Sequence, residues 1–281
     1  MINIIDKLNK LPNYTYFISE IGLNHNGSVE IAKELIKIAK ESGSDAVKFQ
    51  KRDVDNLAIK EILDTPDDRF PEFGSTYREI REHIEFSKDE YIELKEYSHE
   101  LGIDFICTAF DIPSVKFLID LKVDYLKIAS HSVTNVPLLK YITDKNIPSI
   151  MSTGMSEIED IDIAYELFKK SKTDLILLHC VSSYPTPENE MNLDIIDTLR
   201  NRYKEIHIGY SGHEIGNFPT IIAVCKGARV VERHITIDQK MVGFDHSLSI
   251  EPNELKNLIE QIRKIELLRG SSEKRILKSE L

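Results

Sequence analysis

Short apolar runs rich in β-branched and aromatic residues alternate along the whole chain with stretches of helical periodicity. The runs that read as strands are 16–20, 46–49, 105–108, 125–128, 149–152, 175–179, 206–209 and 230–234. Between them, Ala32, Leu35, Ile36 and Ala39 recur at helical spacing and stop at Gly43. Ser87 with Glu90, and Ser156 with Glu159, have the spacing of a capping box ahead of apolar periodic segments. Pro252 opens a last helix through Leu255, Leu258, Ile259, Ile262 and Ile265, closed by Gly270. Eight strands, each followed by a helix, is the count of a (β/α)8 barrel, and near-continuous apolar strands suit a parallel sheet covered on both faces. The predicted fold class is therefore α/β, a single-domain TIM barrel over 16–270. Residues 1–15 are expected to cap its N-terminal end, and the polar tail 271–281 reads as a truncated linker. One long charged interruption, 51–86, holds Pro66 and Pro71 and is expected to form a functional lid over the barrel mouth.

Composition narrows the function classes. The chain has 281 residues, close to the roughly 250 of one barrel. A net charge of −11 argues against nucleic acid or an anionic membrane as the main partner. No apolar run approaches membrane-spanning length, and the N-terminus lacks the charged-then-apolar order of a signal peptide, so the expected location is cytoplasmic. The 3 cysteines are far apart and lack C-x-x-C spacing, which suits a reducing compartment; Cys107 and Cys180 read as core cysteines, with an outer-shell role near a metal as the alternative.

Barrel chemistry gathers at strand C-termini, so those ends can be read as one ring. In order they supply Glu20; Lys48 and Gln50; Thr108; Lys127 and Ser130; Ser152, Thr153 and Gly154; His179, Ser182, Ser183 and Tyr184; Ser211 and His213; and His234. Two lysines inside apolar runs need an anion, because a buried ammonium is costly unpaired. With the hydroxyls, and with Gly154 allowing close backbone approach, the ring has the chemistry of a phosphate site. His213 and His234 close consecutive strands and form a candidate divalent-metal pair that leaves positions open for water and substrate. Glu20 is a candidate acid/base, with pairing to a barrel lysine as the plain alternative. His25, His131 and His246 lie where they could reach the mouth, whereas His83 and His99 read as solvated and His207 as turned away.

Eight motifs in order carry a resemblance: Glu20-Ile21-Gly22-Leu23-Asn24-His25-Asn26-Gly27, Val47-Lys48-Phe49-Gln50, Tyr125-Leu126-Lys127-Ile128-Ala129-Ser130, Ser152-Thr153-Gly154-Met155, His179-Cys180 with Tyr184-Pro185-Thr186-Pro187, Ser211-Gly212-His213, Glu232-Arg233-His234 and Gly243-Phe244-Asp245-His246. Over about residues 14–270 the chain resembles the sialic acid (N-acetylneuraminate) synthases and their legionaminate and pseudaminate relatives. The resemblance implies a transferase of carbohydrate biosynthesis that condenses phosphoenolpyruvate with the open-chain aldehyde of an N-acylated aldose, giving a nonulosonic acid and phosphate. It implies that Lys48, Thr108, Lys127, Ser130, Ser152, Ser182 and Ser211 hold phosphoenolpyruvate. It implies that His213 and His234 hold a divalent metal, manganese first and Mg, Co or Fe as alternatives. Glu20 would act in catalysis with the two histidines, and Gln50, Tyr184 and Asp245 would face the acceptor together with Glu20. A homodimer is expected on the same ground.

Two departures fall on acceptor recognition. Family members place an acceptor-contacting glutamate five positions after the strand-four lysine, where this chain has Ser132, and they carry a C-terminal antifreeze-like domain, whereas this sequence stops in the leading linker. The resemblance therefore carries the reaction type further than the acceptor, and a separate antifreeze-like protein is one partner it allows. Two other readings stay open. A non-catalytic sugar- or phosphate-binding barrel would bind phosphoenolpyruvate without turnover. A synthase of another 3-deoxy-ulosonic acid, or a metal-dependent aldolase or isomerase, would differ in acceptor or in its need for phosphoenolpyruvate.

Overall fold

The computed structural model describes residues 3–123 and 125–281. Eight parallel strands close into a barrel in sequence order: β1 Tyr16–Gly22, β2 Ala46–Lys51, β3 Asp104–Ala109, β4 Leu126–Ile128, β5 Ser149–Ser152, β6 Leu175–Cys180, β7 His207–Gly212 and β8 Val230–His234. The helices are α1 Ile4–Lys10 before the barrel and α2 Val29–Ser42 after β1; then α3 Lys60–Leu63, α4 Tyr77–His83 and α5 Lys88–Glu100 between β2 and β3. Around the rest of the ring follow α6 Ile112–Leu121, α7 Val136–Asp144, α8 Ile158–Ser171, α9 Ile195–Arg202, α10 Phe218–Cys225 and α11 Pro252–Arg269. Among the described residues no helix is long and apolar enough to cross a membrane.

Local chemistry accounts for the helix ends. Ser28 caps α2 by accepting from the Ile31 amide, and Gly43 ends it at φ 92°, a left-handed conformation that glycine adopts without strain. The predicted apolar stripe of α2 is buried. The Ser87–Glu90 capping box starts α5 as expected. At α8 the box lies one residue later than expected, on Glu157 and Asp160, because the Ser156 hydroxyl turns back to the Gly154 carbonyl. Pro252 stands at the start of α11, where its missing N–H costs nothing.

Period-two alternation sorts the strand residues. One set packs outward against the helices: Phe17, Val47, Phe49, Phe105, Cys107, Leu126, Ile128, Met151, Leu175 and Leu177 all join the main apolar core. The inward set fills the barrel from below with Tyr16, Ile18, Ala46, Ile106, Tyr125, Ile150, Ile176, Leu178 and Val230, plugged by Ile4 and Leu8 of α1. The next inward layer is polar. Tyr16 and Ile18 lead to Glu20, Ala46 to Lys48, Ile106 to Thr108, Tyr125 to Lys127, Ile150 to Ser152 and Val230 to Glu232. Residues 1 and 2 of the expected cap lie outside the described residues, and residues 271–281 are exposed.

Candidate active site at the strand C-termini

The polar layer opens into a pocket of about 330 Å³ whose lining includes Glu20, Lys48, Gln50, Thr108, Lys127, Ser130, Ser152, Ser182, Tyr184, Ser211, His213, His234 and Asp245. Strand register makes neighbours of residues distant in sequence. Glu20 lies beside Lys48 on one side and His234 on the other, Thr108 beside Lys127, and Ser211 beside Glu232. A β-bulge after Glu20 puts Gly22 at φ 56°, where an added Cβ would stand 3.0 Å from Glu20 Oε1 and 3.1 Å from Gln50 Nε2. Glycine thus leaves room for that carboxylate–amide contact.

The floor is a network of buried charges. Lys48 Nζ lies 2.8 Å from Glu20 Oε2 and donates to Thr108 Oγ1 at 2.8 Å. Lys127 Nζ donates to Ser152 Oγ at 2.6 Å. Both ammoniums stand 3.6 Å from the same oxygen, Glu232 Oε1, which also accepts from Ser211 Oγ at 3.2 Å. Burial alone would raise the pKa of Glu232, but Lys127 and Lys48 outweigh it and hold the carboxyl at about 2. Glu20 goes the other way: burial raises its pKa, with Lys48 opposing and Glu232 adding to the rise. Lys127 is lowered by burial against the pull of Glu232. One carboxylate is therefore locked as a counter-ion, while its neighbour is pushed toward taking a proton.

Above the floor, Ser130 and Ser182 converge on Gly154. The Gly154 amide donates to Ser130 Oγ at 3.1 Å, and a Cβ at Gly154 would lie 2.4 Å from Ser182 Oγ and 3.0 Å from Ser130 Oγ. Buried ammoniums, convergent hydroxyls and a bare backbone approach form a cradle for an anion.

The two histidine rings lie with centroids 5.4 Å apart at 55° to each other, and the Tyr184 ring lies 4.0 Å from that of His213, tilted by 32°. His213 Nδ1 donates to the Val181 carbonyl at 2.9 Å, which fixes the tautomer and leaves Nε2 as a lone-pair donor. His234 Nδ1 is buried without a partner and lies 3.7 Å from Asp245 Oδ2. Burial lowers the pKa of His234 to about 4, against the pull of Asp245, so the ring is neutral. Among the described residues no group of three or more His, Cys, Asp or Glu stands ready to hold a metal. His213 differs, because burial lowers its pKa but Cys180 outweighs it and raises the value. With that ring deprotonated, the two imidazoles, that of His234 holding a buried orphan nitrogen, would fit a divalent transition ion with positions left for water or substrate. Behind the pair, Arg233 and Glu214 form a fully buried ion pair at 2.8 Å that ties the ends of β7 and β8 together.

Several sequence expectations change. His179 is not in the ring: Ile176 and Leu178 point inward, so alternation gives the next inward place to Cys180, and His179 Nε2 instead meets the Met191 carbonyl at 2.8 Å. Cys180 is accordingly no plain core residue, since it lines the pocket 3.9 Å from His213 Nδ1, whereas Cys107 is core. Ser183 bonds the Pro185 carbonyl and Thr153 the Leu178 carbonyl, both away from the lining. His25 is buried in a stack against Phe86 and His246 is buried on Thr236, so neither reaches the mouth; His131 does. Glu20 does pair with a barrel lysine, and from inside the pocket. Ser132 is buried outside the lining. The reading of strand ends missed Glu232, although stepping back two residues from His234 reaches it. It missed Arg52 too, which continues the step from Lys48 and Gln50. Arg81 and Phe244 also line the pocket, and no local signal marks Arg81.

Comparison with known proteins places this geometry. The chain is 43% identical over 259 residues to the N-acetylneuraminate-9-phosphate synthase of Drosophila melanogaster, covering 92% of this chain and 70% of that protein. It is 41% identical over 273 residues to the N,N'-diacetyllegionaminic acid synthase of Legionella pneumophila, covering 95% and 76%. The crystal structure of the N-acetylneuraminic acid synthetase of Leptospira borgpetersenii, in complex with citrate, superimposes with a TM-score of 0.84 at 35% identity, covering 95% of this chain and 89% of that one. The NeuB family model matches residues 35–274, and this chain belongs to the NeuB family.

Proposed function

We propose that the protein condenses phosphoenolpyruvate with the open-chain aldehyde of an N-acylated aldose, releasing phosphate and a nonulosonic acid. The relatives named above are synthases of such acids. The observation that carries the reading is the pocket floor, where the Lys48 and Lys127 ammoniums, both 3% exposed, share one carboxylate beneath a ring of hydroxyls.

Lys48 and Lys127, with Thr108, Ser130, Ser152, Ser182 and Ser211, would hold the phosphate and carboxylate of phosphoenolpyruvate. Glu232 would keep the two ammoniums charged and fixed, so little reorganisation accompanies the reaction. A divalent ion held by His213 and His234 would polarise the acceptor's aldehyde oxygen. Gln50, Tyr184 and Asp245 would orient the acceptor so that C3 of the enol faces the aldehyde carbon. The new bond joins those two carbons at the expense of the enol double bond, and the aldehyde oxygen would gain the proton carried by Glu20. Water then adds at C2 and the C2–O bond to phosphate breaks. Glu20, pushed by burial toward accepting a proton and hydrogen-bonded to Gln50 at 2.6 Å, is the residue placed to take the proton from that water.

The test is mass-spectrometric identification of the product from phosphoenolpyruvate, Mn²⁺ and a panel of N-acyl mannosamines, diamino-hexoses and plain aldoses. An acid heavier than its aldose by one pyruvate unit is expected. Calorimetric binding of phosphoenolpyruvate with no product from any aldose would instead identify a binding barrel.

A further inference from the structure

The end of the barrel opposite the mouth holds a second cavity, of about 490 Å³, around the starts of β7 and β8. Four cations line it: Arg200 in the last turn of α9, Lys204 just after that helix, Arg229 immediately before β8 and Arg269 at the end of α11. Asn13, Asn201 and His207 add polar edges. Among the described residues no carboxylate lines this cavity, in a chain whose net charge is −11. Positive charge is concentrated here against the sign of the whole molecule.

Part of the clustering has a structural cause. Arg200 Nη1 donates to the Lys226 carbonyl and Arg269 Nη2 to the Val224 carbonyl, each at 2.8 Å, at the C-terminal end of α10 where cations meet the negative end of the helix dipole. Arg229 donates through Nε to the Tyr14 carbonyl at 2.9 Å and through Nη2 to the Leu8 and Leu11 carbonyls at 2.8 Å. These bonds occupy one side of each guanidinium, and carbonyls do not neutralise its charge. The nearby carboxylates are engaged elsewhere. Glu266 accepts from the Thr15 amide at 2.8 Å and from Arg263 at 2.6 Å, and Glu205 holds Lys169 at 2.8 Å. Asp197 holds Lys226 at 2.9 Å and stands 3.6 Å from Arg200. The guanidiniums therefore feel one another: burial first, then the charge of Arg269, lowers the pKa of Arg229, with Glu266 opposing and Arg200 adding. Bare backbone at Gly227 lets Arg200 lie close, since a Cβ there would stand 2.8 Å from its Cζ.

We propose that this cavity is a second anion site, for a small phosphate-bearing molecule, at the far end of the barrel from the catalytic pocket. Forked guanidiniums arriving from three elements match the several oxygens of a phosphate or diphosphate better than those of a lone carboxylate. The walls carry Ile206, Ile208 and Pro12 but, among the described residues, no aromatic ring besides the His207 imidazole, so recognition is of charge and not of a stacked base. A bound anion would tie α9, α11 and the start of β8 together, and stability should rise with its occupancy.

Calorimetry with pyrophosphate, on the metal-free full chain at fixed ionic strength, tests the site. Arg200→Gln combined with Lys204→Gln removes two exposed charges and leaves in place Arg229, which pins α1. This double variant should bind one equivalent of pyrophosphate fewer than the wild type, or bind it at least about 10-fold more weakly, with phosphoenolpyruvate binding unchanged. Lys37→Gln combined with Lys140→Gln makes the same change of net charge at exposed positions on other helices, and should bind pyrophosphate as the wild type does. Pyrophosphate should also raise the Tm of the wild type more than that of the Arg200 and Lys204 variant. Should that variant be poorly folded by circular dichroism, Lys204→Glu alone should give the same loss. A wild type that binds no pyrophosphate overturns the site, as does an isotherm that these variants leave unchanged. An equal loss in the lysine control, or a parallel loss of phosphoenolpyruvate, also overturns it, because the effect then belongs to overall charge or to the mouth.

Discussion

Arg233 stands between Glu232 and His234 and turns its side chain out of the barrel. Its Nη1 donates to Glu214 Oε1 at 2.8 Å, to the Gly216 carbonyl at 3.0 Å and to Thr220 Oγ1 at 2.7 Å, while Nη2 donates to the Glu214 carbonyl at 2.8 Å. Glu214, completely buried and next to His213, also accepts from the hydroxyls of Thr220 and Tyr210. Arg233→Met keeps most of the apolar stem but leaves the carboxylate with only those neutral donors. At 2.8 Å and an effective dielectric near 20 the lost attraction is roughly 6 kcal/mol, and breaking one side of a buried pair costs about 3–5 kcal/mol net. For a domain of this size that is a fall in Tm of roughly 6–20 °C. Glu214→Gln should cost a similar amount. The double variant buries no lone charge, so it should lose at least about 1 kcal/mol less than the two single losses added together. Urea unfolding of chelator-treated protein, extrapolated to water, measures all four corners of the cycle. Because the pair supports the strand ends that carry His213 and His234, Arg233→Met should also weaken Mn²⁺ binding by about 10-fold or more. A loss below about 1 kcal/mol for Arg233→Met, or strict additivity in the double variant, would refute the reasoning.

Gly154→Ala would press a methyl against Ser182 and Ser130, so KM for phosphoenolpyruvate should rise by about 10-fold or more while far-UV circular dichroism is retained; an unchanged KM would remove those hydroxyls from the anion cradle. His213→Ala or His234→Ala should abolish turnover with only a small change in Tm, and chelator treatment of the wild type should do the same until Mn²⁺ is restored; a full-rate variant excludes the metal role. Burial lowers the pKa values of His25, His234 and His246 to about 3, 4 and 4, so the folded chain refuses protons that the unfolded chain takes up near 6.5. They cost nothing above pH 6.5, and stability falls as pH drops from 6.5 toward 4, by on the order of 10 kcal/mol for the three together. Urea midpoints of chelator-treated protein should fall steadily from pH 7 to pH 5, and a flat profile would contradict buried neutral rings.

The sequence by itself determined the barrel and most of its polar ring. Apolar runs such as Ile176 to Leu178 and Val230 to Val231 have to be buried, and a parallel sheet wrapped by helices does that with local signals alone: Ser28 and Gly43 at the ends of α2, Ser87 at α5, Pro252 at α11. Alternation then aims Glu20, Lys48, Thr108, Lys127, Ser152 and Ser211 at one axis; the first five each follow an inward apolar residue by two, and Ser211 follows Gly209. Parity had to be known strand by strand, which is how His179 was misplaced and Glu232 overlooked. Only the tertiary structure decided which charges meet. The sharing of Glu232 by two lysines depends on strand register, and the Arg233–Glu214 pair on how α10 packs behind β7. Arg81 reaches the pocket from α4, 29 positions beyond Arg52, and no period in the sequence carries a side chain over that distance. The periodic parts were legible because burial and backbone hydrogen bonding act locally and repeat. The acceptor side was not, because loops fold by contacts that one stretch of sequence does not contain.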